Sequence, residues 1–505
     1  MTPAPHLNTL LSTDVLTPAT LERAASPLTI TMSDDTSQAV LAGWTFMTSC
    51  LEEKRPVYGS TTGFGPLVVH NGRDDPEDQC DNVLQHLTVG QGQDLPLDVV
   101  RATVLVRVWS LARGLSGVSP MTLAALRDML ATSFTPAVPA MGSVGASGDL
   151  VPLAHVVQSL RGIGCAYWDG VRMPAREALA QAGLEPLRVG GRDALSLVNG
   201  TSVTTAAAGL AVASMRRSHE VALALSALLT DLLGAAPAFL NPSLLRAFGH
   251  PETAQAGERL SFWLDGTAPS GTRALQEPYS VRCTPQLLGA AQSAVDWADQ
   301  VVRRDLGGVS DNPLFFPEQG EVAHGGNFFG QPSAFASDVL SLAATQTGNL
   351  AERQIDLMVD PHRNAGLPAM LAARGGEQHA VQGLQVLATS LVAAMRRACT
   401  PASVQSIPTN LHNQDVVPFG TQAALTALEQ TRSLRLLHGC LGVVLRQAAH
   451  LRPGGATAPP CAELVDVLAE AVAPIEPDRP LDEDIRAAAA ALDSHVVERF
   501  PEVAR

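Results

Sequence analysis

The stretch Gly142-Ser143-Val144-Gly145-Ala146-Ser147-Gly148-Asp149 carries the residues best suited to do chemistry. Leu153, Val156, Val157 and Leu160 follow it at helical spacing. The loop therefore ends at a helix N-terminus, where free N–H groups and partial positive charge gather. Three chemistries suit such a loop. It can bind an anion. It can present Ser147 as a nucleophile, although no nearby His–Asp pair is visible. Or it can react with itself: the Gly148 nitrogen, unhindered by a Cβ, reaches the Ala146 carbonyl if the turn is tight. Loss of water from that ring and from the serine side chain leaves an exocyclic methylene, an electrophile made from the chain itself. The plain alternative is a helix-capping loop, and Ala-Ser-Gly alone does not decide between them.

Other reactive groups are scarce. Lys54 is the only lysine among 34 basic residues. Pyridoxal phosphate or any Schiff base would have to use it, yet it sits in the solvated cluster Glu52-Glu53-Lys54-Arg55. The cysteines (Cys50, Cys80, Cys165, Cys283, Cys399, Cys440 and Cys461) are scattered and form no C-x-x-C, which reads as reduced thiols in a cytoplasmic protein. The histidines show no metal-ligand spacing, and there is neither a P-loop nor a dinucleotide fingerprint. No metal is expected. A formal charge of −15, from 34 basic and 49 acidic residues, argues against nucleic acid or an anionic membrane as partner. The opening MTPAPHLNTLL lacks the pattern of a secretory signal.

The elements that position the loop come next. With 46% hydrophobic and 16% charged residues, the chain is too apolar for disorder and short of charge to cover a monomer's surface. Residues 1–200 are punctuated by Gly and Pro and read as a mixed, loop-rich N-terminal domain. Residues 201–450 carry long Ala/Leu/Val stretches, with helices expected near 201–235, 331–359, 380–398 and 420–450. The clearest helix has Thr284 as N-cap and Pro285 at its first position. Leu288, Ala291, Val295, Ala298 and Val302 then form an apolar seam. Val221–Leu240 reads as a core helix, not a membrane span. Residues 451–505 read as a C-terminal region of short helices. The expectation is a mainly α protein, a long-helix bundle completed by other subunits.

The run GSVGASGDLVPLAH at 142–155 resembles the signature of the aromatic amino acid ammonia-lyases, a superfamily that includes the related aminomutases. Further blocks resemble it in the family's order: VYGSTTGFG at 57–65, LVNGTS at 197–202, QEPYSVRCTPQ at 276–286, VSDNPLF at 309–315, HGGNFFGQ at 324–331, AERQID at 351–356 and HNQDVV at 412–417. The resemblance implies the fumarase/aspartase-like helical fold and a homotetramer with shared active sites. It implies a 4-methylidene-imidazol-5-one (MIO) electrophile formed from Ala146, Ser147 and Gly148, with neither metal nor pyridoxal. It also implies site residues. Tyr58 is similar to the catalytic base, on a loop that Gly59, Gly63 and Gly65 allow to close. Tyr279 is similar to the tyrosine that contacts electrophile and substrate. Arg282 is similar to the arginine that clamps the substrate carboxylate, a task for a planar bidentate donor. Asn199 and Gln276 resemble the amides on electrophile and substrate. Phe328 resembles the phenylalanine beside the MIO ring, and Asn413 and Gln414 the amides near the substrate amine.

Two positions bear on the substrate. Histidine ammonia-lyases carry a Ser-His pair after the mobile loop and a glutamate in the late block; here stand His86-Leu87 and Gln414. His86-Leu87 is similar to the His-Leu pair of tyrosine ammonia-lyases, where phenylalanine ammonia-lyases usually have Phe-Leu. An imidazole can hydrogen-bond a phenol, and Leu87 would pack on the ring. Phenylalanine would leave the imidazole unpaired, at about 1–3 kcal/mol. Gly307 and Glu377-Gln378-His379 depart from the family pattern. No stretch matches the inserted domain of the plant enzymes, so the likeness is to bacterial tyrosine ammonia-lyases. The implied reaction is L-tyrosine to trans-4-coumarate and ammonia. The alternatives are a tyrosine 2,3-aminomutase, a phenylalanine or broad aromatic ammonia-lyase, and a helical scaffold that never forms MIO.

Overall fold

The computed structural model describes residues 8–504. Among them run eighteen α-helices and only short strands, so the chain is mainly α. Two compact units emerge. Among the described residues, the first comprises 8–210, 299–338 and 401–425; the second comprises 211–298, 339–400 and 426–504. The expected long helices are present as Ser202–Leu232, Thr284–Gly307, Gln331–Val359, Gln382–Ala398 and Gly420–Leu451. The seam residues Leu288, Ala291, Val295, Ala298 and Val302 are all buried. No helix among the described residues is long and apolar enough to cross a membrane.

Two local expectations need correction. Thr284 does not cap its helix as an acceptor. Its hydroxyl donates back to the Val281 carbonyl at 2.8 Å, because the turn Tyr279–Arg282 leads straight into the helix. The core helix expected over Val221–Leu240 stops at Leu232: Gly234 takes φ +65°, and Pro237–Leu240 forms a separate 3-10 turn.

In the first unit, small sheets fill the gaps between helices. Cys165–Trp168 pairs antiparallel with Val171–Pro174 and with Thr135–Pro136. Tyr167 on this sheet donates to Asp94 at 2.8 Å, a structural use of the tyrosine outside the family-like blocks. The helix Leu97–Leu111 is buried along nearly its whole length, and it takes charge in with it. Arg107 donates to the carbonyls of Ser310 (2.8 Å) and Ser196, and lies 3.7 Å from Asp311. Arg192 grips the same Asp311 with two hydrogen bonds of 2.8 and 2.9 Å. Burial lowers the Arg107 guanidinium to about 10, which still leaves it charged at neutral pH. Buried charges persist only when paired and hydrogen-bonded, and here the pairing fixes the 196–200 and 310–311 backbones.

The second unit buries two histidines, His219 and His438. Burial, reinforced by the positive charges of Arg216 and Arg259, lowers His219 to about 4. Burial, followed by the neighbouring His219, lowers His438 to about 3. Both rings fold neutral.

Two outcomes follow from these buried groups. Asp311→Asn strands two buried guanidinium groups and should cost about 3–5 kcal/mol in urea unfolding; a loss within error of zero would show that the pair does not hold the fold. The histidine contribution is full above the unfolded value near 6.5 and is lost as pH falls toward the folded values near 4 and 3. Between pH 7 and 5 each histidine should contribute a loss on the order of 1–2 kcal/mol, opposed by Glu220, whose carboxyl burial raises to about 7. The loss should shrink in His438→Gln, and an unchanged pH slope in that variant would refute the assignment.

Candidate functional site

The Gly142–Asp149 loop lies in the first unit and runs into the helix Leu150–Leu160, whose Leu153, Val156, Val157 and Leu160 are buried as expected. Its anchor is Asp149, fully buried. The carboxylate accepts from the Ser143 hydroxyl (2.9 Å), the Thr204 amide (2.9 Å) and hydroxyl (3.0 Å), and the Thr421 hydroxyl (2.6 Å). Burial raises its pKa while these hydrogen bonds lower it. Thr204 and Thr421 sit in the first turns of the helices Ser202–Leu232 and Gly420–Leu451. Two helix N-termini therefore meet one carboxylate, each end favouring negative charge.

Small residues are required beside it. Gly148 has φ +71° and pairs with Gly200; a Cβ there would fall 2.3 Å from the Gly200 carbonyl oxygen. The Asp149 amide donates to that same oxygen at 2.7 Å. A Cβ on Gly200 would strike the Arg107 guanidinium at 2.2 Å. Between these contacts stands Ser147, half-buried. Asn199, at the end of the helix Asp193–Val198, donates its amide to the Ser147 carbonyl at 3.1 Å. Gln414 donates its amide to the Ser147 hydroxyl at 2.6 Å. Its other end accepts from the Thr409 hydroxyl at 2.5 Å.

The Tyr58 loop belongs to the same unit. The Tyr58 hydroxyl oxygen accepts from the Gly65 amide at 2.8 Å, and its own amide donates to His324 Nε2 at 3.3 Å. Gln79, buried on the helix Pro76–Leu87, closes the loop's base: its amide donates to the Gly59 carbonyl (3.1 Å) and accepts from the Arg73 amide (3.0 Å). The Tyr58 ring meets Phe64 edge-on at 6.0 Å, and Phe64 lies 5.9 Å from the His86 ring. His86 is exposed in the last turn of its helix, with Nδ1 2.9 Å from the Asn82 carbonyl; Leu87 beside it is buried. Gly65 in turn abuts Asn410. A continuous set of contacts thus runs from Tyr58 through Gly65 and the 409–414 turn to Ser147. Phe328 is half-buried and Asn413 exposed.

Gln276, Tyr279 and Arg282 belong to the second unit. Arg282 stacks over the Tyr279 ring at 4.6 Å. Tyr279 is 71% exposed and Leu275 beside it 99%. Glu277 is held by Arg273 through two hydrogen bonds of 2.7 and 2.5 Å. Lys54 is exposed at a helix end. Several contributors were not singled out from sequence: Thr409, Gln79, His324, Thr204, Thr421 and the Arg107/Arg192/Asp311 group. Thr421 follows a glycine at a helix start, a pattern that marks an N-terminus without naming its target.

Comparison with known proteins places the chain in a family. Residues 16–470 match the family model described as aromatic amino acid lyase. A tyrosine ammonia-lyase of Cereibacter sphaeroides is 41% identical over 89% of this chain and 90% of that protein. A histidine ammonia-lyase of Symbiobacterium thermophilum is 36% identical over 91% of each. The crystal structure of a tyrosine aminomutase from Streptomyces globisporus superposes with a TM-score of 0.89 at 29% identity, covering 97% of this chain and 98% of that one. The chain belongs to the aromatic amino acid lyase family.

Proposed function

We propose that this lyase eliminates ammonia from L-tyrosine to give trans-4-coumarate, using an MIO group formed from Ala146, Ser147 and Gly148. The observation that carries the reading is the grip on Ser147: Asn199 on its carbonyl, Gln414 on its hydroxyl, and a following glycine at φ +71°. The residues present fit the group. Ala146 and Gly148 are buried while Ser147 stays partly open, and only a glycine fits at 148, where a Cβ would strike the Gly200 backbone. When formed, the group would supply an electron-poor carbon that activates the substrate amine for departure.

The chain's own residues do the rest. Tyr58, on its glycine-flanked loop, takes the β-proton. Arg282 holds the carboxylate, with Tyr279 and Gln276 beside it, while Asn413 and Phe328 complete the surroundings of amine and ring. The exposure of Tyr279 and Leu275 suits a homotetramer in which these residues serve an active site shared between subunits. His86 reads the phenol. Because its Nδ1 faces the Asn82 carbonyl, which only accepts, the ring proton belongs on Nδ1 and neutral Nε2 is left as an acceptor for the substrate hydroxyl. Leu87 packs on the substrate ring. The tyrosine ammonia-lyase relatives, at 41% and 38% identity, favour the same substrate.

Incubation with tyrosine, phenylalanine and histidine should produce the ultraviolet absorbance of coumarate fastest. β-Tyrosine as main product would replace the lyase reading by an aminomutase. His86→Phe should move kcat/KM toward phenylalanine by roughly ten- to a hundredfold; an unmoved ratio would remove His86 from recognition. The wild-type chain should weigh two waters less than its sequence, and Ser147→Ala should lose both this deficit and activity. A wild-type mass equal to the sequence mass would leave the scaffold reading.

A further inference from the structure

Gln414 is the side chain that hydrogen-bonds the Ser147 hydroxyl, and it is held from behind. Its Oε1 accepts from the Thr409 hydroxyl at 2.5 Å while its NH2 donates to Ser147 Oγ at 2.6 Å. The two residues are also paired through their backbones, Thr409 N to Gln414 O at 3.0 Å and Gln414 N to Thr409 O at 3.3 Å. Between them Asn410, Leu411 and His412 all hold positive φ (51°, 53° and 62°). Three consecutive non-glycine residues in this region cost roughly 1–2 kcal/mol each. Such strain persists only where surrounding contacts enforce it, and the contacts here deliver one amide to one hydroxyl.

We propose that Thr409 and Gln414 form a maturation device, Thr409 positioning the Gln414 amide so that it donates to Ser147 Oγ as that oxygen departs. The proposal rests on the reading that the Ala146-Ser147-Gly148 segment cyclises. In ring closure the Gly148 nitrogen bonds to the Ala146 carbonyl carbon. The carbonyl oxygen then leaves as water with the protons of the Gly148 and Ser147 nitrogens. In the second loss the Ser147 Cα–H pair becomes the Cα=Cβ bond and the Cβ–Oγ pair departs on oxygen. Oγ, keeping its own proton, takes up the one released from Cα and leaves as water. Negative charge builds on Oγ in that second loss alone. A donor already at 2.6 Å stabilises the charge without reorganising. A glutamic acid at this position could play the same part only while protonated.

The test follows the mass of freshly synthesised full-length chain with time, reading the loss of each water separately. Gln414→Leu should slow loss of the second water by about a hundredfold, the scale for removing one donor from a developing oxyanion. Thr409→Val, which keeps the shape but not the hydroxyl, should slow it about tenfold, the scale for an outer hydrogen-bond partner. Thr409→Ser should restore the wild-type rate, which a purely steric role for Thr409 would not predict. Circular dichroism and thermal unfolding confirm that each variant folds. Folded Thr409→Val or Gln414→Leu chains that lose both waters at the wild-type rate would overturn the device. A wild-type chain that loses no water would instead overturn the underlying cyclisation reading.

Discussion

A fully buried carboxylate holds this site together. Asp149 is satisfied wholly by hydroxyls and an amide, and those donors come from the opening turns of two long helices and from Ser143 in its own loop. The Ser147 segment cannot drift relative to either helix without stranding a buried acceptor, at about 1–3 kcal/mol for each partner lost and more for a charged one. The left-handed Gly148 and its contact with Gly200 are affordable only because this anchor enforces them.

The same economy appears one layer further out. Gly200 sits against Arg107, Arg107 on Ser196 and Ser310, and Asp311 between Arg107 and Arg192. Buried ion pairs of this kind add little net stability over a packed apolar core. What they contribute is definition, since several backbone carbonyls must stand where the guanidinium forks end. Rigid support of this kind is what the proposed cyclisation would need, because ring closure depends on bringing two atoms of the main chain within bonding reach.

Much of this was legible in the residues. The apolar seam from Leu288 to Val302 and the helix face from Leu153 to Leu160 follow from a period near 3.6. The Ala146-Ser147-Gly148 loop stood out by composition, and Asn199 and Gln414 by resemblance. Other features were not legible, for physical reasons. Thr409 is silent in the sequence because a threonine five residues before a glutamine has no meaning until a strained turn folds the two together. Asp311 lay in a recognised block, yet nothing along the chain reveals which arginines will share it. Thr284 reads as a capping acceptor along the sequence but donates in the fold, because a hydroxyl at a helix start can do either and the preceding turn decides.

The contact between Gln414 and Ser147 joins positions 267 residues apart. The unit that contains it is assembled from three separate lengths of chain, the last beginning at residue 401. A ribosome must therefore deliver most of the polypeptide before this hydroxyl can meet its donor. Contacts so distant in sequence are also slow to form, because chain entropy opposes them until the rest is in place. On the proposed cyclisation, the reactive group would thereby be kept out of nascent and half-folded chains, where an exposed electrophile would find the wrong nucleophile, and its appearance would report that folding has finished.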